Sequence, residues 1–151
     1  MITTTYNSPI GAIYLAEKDG AITHLVFRAL DCTPGETPLL KECMAQLDAY
    51  FAGTLQAFDL PLNPVGTEFQ RRVWRTLQTI PYGETWSYKM LAEAADCPRG
   101  YRAVGLANNR NPISIIIPCH RVVGASGALT GYGGGLSNKA FLLDLEGVTL
   151  P

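Results

Sequence analysis

Residues 87–112 read SYKMLAEAADCPRGYRAVGLANNRNP, and the fold turns on them. Ser87 stands as a helix cap before Tyr88–Ala95, a run of good helix formers. Asp96-Cys97-Pro98-Arg99-Gly100 is a turn, and Tyr101–Asn109 is a second helical run. That run stops before Asn111-Pro112, because the residue preceding a proline is biased away from the α region. Two short helices on a tight turn, the second carrying arginine and small residues, form a helix-turn-helix pattern. Many αα-hairpins with no nucleic-acid role share it, so the rest of the chain must decide.

Upstream, residues 67–80, TEFQRRVWRTLQTI, open with a Thr-x-x-Gln capping box and place Phe69, Val73, Trp74 and Leu77 on one face. Arg71, Arg72 and Arg75 lie mostly off that face. The first 28 residues differ in texture. ITTTY, GAIYLAE and AITHLVF are rich in β-branched and aromatic residues and are separated by turn signals, which predicts three antiparallel strands. A Pro- and Gly-containing loop, residues 28–38, follows. Residues 39–53 then repeat apolar positions with a helical period closed by Gly53, and 54–66 is a linker with two prolines. The expectation is a mixed α/β chain of the α+β type. Residues 1–66 form a small sheet lobe with one covering helix and a linker; residues 67–151 form a mainly helical domain. Nothing in the first lobe reads as chemical, so it is expected to be structural support.

Composition narrows the classes. With 47% hydrophobic residues and a net charge of −1 in 151 residues, the chain buries a core and is not of disordered type. No apolar run approaches the ~18 residues of a membrane span, and the N-terminus lacks the basic start and apolar block of a secretion signal. A soluble cytoplasmic protein is expected, or a nuclear one in an organism with a nucleus. In that setting Cys32, Cys43, Cys97 and Cys119 are expected as thiols. There is no C-x-x-C and only His24 and His120, so no metal site is expected. Residues 1–66 carry three basic and seven acidic side chains, residues 67–151 nine and six. The near-neutral total hides a basic second half, suited to a polyanion or to a solvated charged face.

Downstream of the helical pair, residues 113–124 read ISIIIPCHRVVG. A strand-like apolar run ends in Pro118, and Cys119 stands beside His120. The loop 124–136 is dense in glycine but lacks a Gly-Lys-Ser/Thr, so it is no phosphate loop; its glycines are expected to let backbone approach a flat ligand. Ser137 is expected to cap a final helix ended by Gly147. A free thiol has a pKa of about 8.5 and is mostly protonated at neutral pH. A histidine within reach, oriented by Asp144 or Glu146, makes it a nucleophile. Spacing alone fits a cysteine hydrolase as well as any other thiol chemistry.

The blocks NPISIIIPCHRVVG, GYGGGLSNKAFLLDLEG and SYKMLAEAA…RAVGLANNRNP together closely resemble the O6-alkylguanine-DNA alkyltransferases, over essentially all of Thr67–Leu150. The resemblance implies irreversible transfer of an alkyl group from guanine O6, or thymine O4, in DNA to Cys119, once per chain and with no cofactor. It implies that His120 deprotonates Cys119 through a water, Glu146 fixes the imidazole, and Asn111 holds the active-site segment against the helix-turn-helix. Tyr88 would donate to the guanine ring. The target nucleotide must be flipped out of the duplex, with Arg102 filling the vacancy from the minor groove. Ala103, Gly105 and Ala107 would let the helix approach DNA, and Arg110 joins the DNA-binding set. Val122, Tyr132, Gly133, Gly134 and Ser114 would line the base pocket. Partners are then alkylated double-stranded DNA and no membrane, with the chain a monomer.

Several positions depart from the family pattern. Gly100 and Tyr101 precede the finger arginine where small residues are usual, and Tyr101 is expected to point inward. Gly133 replaces a serine and Ser114 a proline of some relatives, and the zinc ligands of some first lobes are missing. Non-catalytic relatives carry tryptophan where Cys119 stands. A lesion-binding module without chemistry is the competing reading.

Overall fold

The computed structural model describes residues 1–149. Strands β1 (Ile2–Ser8), β2 (Gly11–Lys18) and β3 (Ala21–Val26) form an antiparallel meander. The β2–β3 turn places Asp19 at φ 51° and Gly20 at φ 79°, the paired left-handed conformation whose twist matches a hairpin. The sheet has four strands, not three: β4 (Thr33–Pro34) adds in parallel to β1, giving the order β3-β2-β1-β4. The Pro- and Gly-rich sequence there reads as loop, but Thr33 and Gly35 supply the amides that reach β1 while Pro34 needs none at an edge.

Helix α1 (Pro38–Phe51) is capped by Thr37, whose side chain accepts from the Leu40 amide. It lays Leu40, Cys43, Leu47 and Tyr50 over Ile13, Leu15, Ile22 and Leu25 of the sheet. Helix α2 (Glu68–Leu77) starts on the expected capping box, with both Thr67–Gln70 bonds made. The helix-turn-helix is α3 (Tyr88–Ala94), capped by Ser87, and α4 (Tyr101–Asn109). Trp74 in α2 donates its indole N–H to the Ala107 carbonyl at 2.8 Å, pinning α4 in place. Short strands β5 (Trp86–Ser87) and β6 (Val122–Val123) pair in parallel and tie the start of α3 to the active-site segment. One core cluster runs through both halves of the chain.

The isoleucine run is not a strand. Only Ile113 bridges, to Leu25 of β3; Ser114–Ile117 turn back through the core, and Ile115 sits at φ 71°. That conformation costs a side-chain-bearing residue about 1–2 kcal/mol. It is held because Ile113, Ile115, Ile116 and Ile117 are all buried and Asn111 brackets the turn, accepting from Ile113 N at 2.9 Å and donating to Ile117 O at 2.8 Å. An apolar run buried on every side carries no period, so sequence could not separate turn from strand.

Helix α5 (Leu136–Leu145) starts before Ser137, on Gly135 at φ 92°, with no side-chain cap. Its other end is a Schellman turn: Gly147, at φ 81°, donates to Asp144 O, and Val148 to Leu143 O. The turn fixes Glu146 as the last residue before the chain reverses. Replacing Trp74 with Phe removes the α2–α4 tie and leaves the Ala107 carbonyl with only the Arg110 amide, at 3.2 Å. Thermal denaturation should show a loss of about 1–3 kcal/mol.

Candidate active site

Cys119 opens a 3-10 turn, Cys119–Arg121, at the exit of the isoleucine turn. The Asn111 bracket therefore sets where the thiol sits. Cys119, His120 and Arg121 are all buried, and Glu146 is buried beneath them. The Glu146 carboxylate collects donors from three side chains. His120 Nε2 lies 2.7 Å from Oε2. Arg121 donates through Nε to Oε1 at 2.8 Å and through Nη2 to Oε2 at 3.1 Å. Tyr50, from α1, donates its hydroxyl to Oε2 at 2.6 Å. Arg121 also donates to the Ile80 carbonyl at 2.7 Å. Asp144, the other candidate carboxylate, is exposed.

Burial raises the Glu146 carboxyl, but the His120 and Arg121 donors and charges outweigh it and hold the group at about 2. Glu146 is therefore ionised at neutral pH. Burial lowers the His120 imidazole; Glu146 pulls it up, Arg121 and Lys139 push it down, and the net is downward. A neutral ring that donates Nε2–H to Glu146 leaves Nδ1 bare, and Nδ1 is buried without a protein partner. The site thus holds an oriented base. It needs one: burial raises the Cys119 thiol, and the polar side chains of Asn111 and Ser114 and the Lys139 ammonium only partly oppose that.

A cavity of about 30 Å³ beside Cys119 is lined by Asn108, Asn111, Ser114, Tyr132 and Gly133, among others. Two buried polar atoms on its wall, Asn108 Oδ1 and the Tyr132 hydroxyl, have no protein partner. Asn111, Ser114 and Gly133 also line a larger cavity, about 450 Å³, that reaches His24, Phe27 and Arg28 of the first lobe and Arg110. A Cβ at Gly134 would stand 2.8 Å from the Phe27 ring, so the close approach this glycine permits is to the first lobe; at Gly133 the space is open.

Lys139, in α5, is buried and donates to Val122 O at 2.6 Å and to Thr130 Oγ1 at 3.2 Å. Burial lowers its ammonium to about 8, with Cys119 opposing. Thr130 Oγ1 in turn lies 2.6 Å from the Tyr88 hydroxyl, so a hydrogen-bonded chain joins Tyr88 to Lys139. One lone pair of the Val122 carbonyl, expected to face a ligand, is thereby occupied.

The helix-turn-helix presents Met90, Tyr101, Arg102, Ala103 and Leu106 to solvent. Tyr101 points outward, not inward, with 47% of its surface exposed. Gly105 lies against the Tyr88 ring, and Ala107 is buried toward α2, so its small side chain serves helix packing. Arg110 is exposed at the end of α4. Sequence reasoning passed over Arg121, Lys139, Tyr50 and Asn108. Lys139, Leu142, Leu143 and Glu146 are spaced i, i+3, i+4, i+7, a buried face on which a lysine signals a partner. Tyr50 gave no such signal, its partner being 96 residues away.

Residues 68–148 match the family of 6-O-methylguanine DNA methyltransferase DNA-binding domains, and residues 1–64 match that of 6-O-methylguanine DNA methyltransferase ribonuclease-like domains. The chain belongs to the 6-O-methylguanine DNA methyltransferase family. It is 55% identical, over 94% of its length and 90% of the relative's, to a methylated-DNA–protein-cysteine methyltransferase of Mycolicibacterium paratuberculosis. It is 52% identical to one of Methanosarcina barkeri, with 92% of each chain covered. Its fold overlays the crystal structure of Mycobacterium tuberculosis OGT in complex with DNA at a TM-score of 0.90, with 49% identity, 97% of this chain and 92% of that chain covered.

The Glu146 carboxyl lies below its ordinary 4.5, at about 2, so its contribution is full above pH 4.5 and is lost as pH falls from there through 2. That difference corresponds to about 3 kcal/mol. Denaturant unfolding should show about 2 kcal/mol of it lost between pH 7 and pH 3, and Glu146→Gln should lose about 3–5 kcal/mol at pH 7 by leaving Arg121 buried without its counter-ion.

Proposed function

We propose that this protein repairs DNA as a methylated-DNA–protein-cysteine methyltransferase, taking an alkyl group from guanine O6 onto the Cys119 thiol once per chain. The observation that carries the assignment of roles is the buried set Cys119, His120 and Glu146, with a bare imidazole nitrogen and an ionised carboxylate. Family membership supports the chemistry.

His120 Nδ1 accepts the thiol proton through one bridging water, and Glu146 steadies the imidazolium through Nε2–H. The thiolate attacks the alkyl carbon in line. A carbon–sulfur bond forms, the carbon–O6 bond breaks, and its electron pair leaves with guanine. The Tyr88 hydroxyl, backed by Thr130 and the Lys139 ammonium, donates to the ring as it becomes anionic, and the guanine takes up one proton to balance the one lost by Cys119. A thioether has no leaving group comparable to guanine, so the step is not reversed.

Double-stranded alkylated DNA is the partner, read from the minor groove by α4. Arg102 fills the gap of the flipped nucleotide, and Ala103 allows close approach. Arg71, Arg72 and Arg75 are exposed and have no carboxylate partner within ion-pair distance among the described residues, which suits phosphate contact. The base enters the cavity beside Cys119, between Asn108 and the loop carrying Tyr132 and Gly133. Residues 1–66 and 67–151 act as support lobe and reaction domain of a cytoplasmic monomer. No helix of the described residues is long and apolar enough to cross a membrane.

Cys119→Ala should abolish loss of the alkyl group from a duplex containing O6-methylguanine while keeping duplex affinity within a few-fold. Affinity of both proteins should fall steeply with salt, as counterion release requires. An alanine variant that still removes the alkyl group, or an affinity indifferent to salt, would contradict the proposal.

A further inference from the structure

Tyr50 lies in the lobe that its sequence presents as mere support, yet it is fully buried and its hydroxyl donates to Glu146 Oε2 at 2.6 Å. The same oxygen receives His120 Nε2 at 2.7 Å. One carboxylate oxygen is thus shared between a phenol of the first lobe and the imidazole beside the nucleophile. The Tyr50 ring is held by Phe51 and Phe58, each with centroids 5.3 Å away, and by the edge of Tyr82 at 6.4 Å. Its hydroxyl therefore has little freedom to leave the carboxylate.

We propose that Tyr50 is a positioning residue for alkyl transfer: its hydroxyl fixes the Glu146 carboxylate and withdraws charge from Oε2, so that His120 stays neutral with Nδ1 open as a base. This rests on the reading of Cys119 as nucleophile and His120 as its base. Burial and the Glu146 charge both raise the phenol, so Tyr50 donates at every physiological pH without ionising. The other groups facing the imidazole are Arg121 and the Lys139 ammonium, both of which disfavour a second positive charge. The Tyr82 ring lies over the Arg121 guanidinium at 5.7 Å, and burial lowers the Lys139 ammonium to about 8. Lys139 therefore keeps its charge as pH falls below neutrality, the direction in which His120 acquires its proton.

Removing the Tyr50 hydroxyl concentrates charge on Oε2 and strengthens its pull on the Nε2 proton. The imidazole then becomes more basic, is protonated at higher pH and loses its free lone pair there. The acid limb of the transfer rate must move up with it.

The test is a nitrogen-15 NMR titration of His120 in the full, DNA-free chain, set beside the pH profile of single-turnover methyl transfer. Tyr50→Phe should raise the His120 midpoint by roughly half to one pH unit, the scale of one hydrogen bond to a charged group, and shift the acid limb equally. Leu40→Ala loosens the packing of the same helix but keeps the hydroxyl and its ring cage; it should lower Tm and leave both midpoints at the wild-type values. A wild-type His120 midpoint in Tyr50→Phe overturns the proposal, and so does an equal shift in Leu40→Ala, which would make the effect one of packing. The titration needs no DNA, so its outcome is independent of the nucleophile assignment, which fails instead if the wild-type chain takes up no methyl group.

Discussion

The buried Glu146 carboxylate is the group on which the site depends. A charge removed from water is tolerated only when its lone pairs are filled and a counter-charge stands close. Arg121 supplies the charge, and His120, Tyr50 and, at 3.4 Å, the Gly83 amide fill the remaining positions. The carboxylate and its side-chain partners come from three separate places, namely the helix of the first lobe, the active-site turn, and the end of α5. Satisfying one carboxylate therefore fixes the relative position of the parts that build the active site. The Schellman turn at Gly147 has a chemical purpose in this light, since it stops α5 where Glu146 faces inward.

Burial gives the thiol two properties that pull against each other. It raises the pKa of Cys119 and so keeps the resting group protonated and unreactive. It also lowers the proton affinity of His120, which is then neutral and available to remove that proton. Reactivity thus waits for something that completes the site. In the proposed reaction the methylated base enters beside Tyr132 and Asn108 and brings polar groups to a wall where two buried polar atoms have no protein partner.

Sequence carried much of this, and its failures have identifiable physical causes. The capped helices α2 and α3 and the strand pattern of the first lobe were legible because period and turn chemistry are local. Cys119, His120 and Glu146 were legible through the motifs that resemble the family. Strand β4 escaped because a two-residue edge pairing leaves almost no pattern, and Gly135 took over the start of α5 from Ser137 because a left-handed backbone entry needs no side-chain cap. The isoleucine turn was unreadable because burial on every side erases periodicity. Tyr50 was hidden for another reason: a tyrosine at the end of an apolar stripe is ordinary, and only tertiary structure reveals where its hydroxyl points. Ala107 shows the converse, a small residue read as making room for DNA that is buried, with its carbonyl accepting from Trp74.

The most direct measurement is the intact and peptide mass of the purified chain after reaction with excess duplex containing O6-methylguanine. The expected result is a gain of one methyl group in place of a thiol hydrogen, located on Cys119 and saturating at one per chain. A methyl group on Cys32, Cys43 or Cys97, continued turnover beyond one equivalent, or an unchanged mass with the duplex still bound would contradict this mechanism.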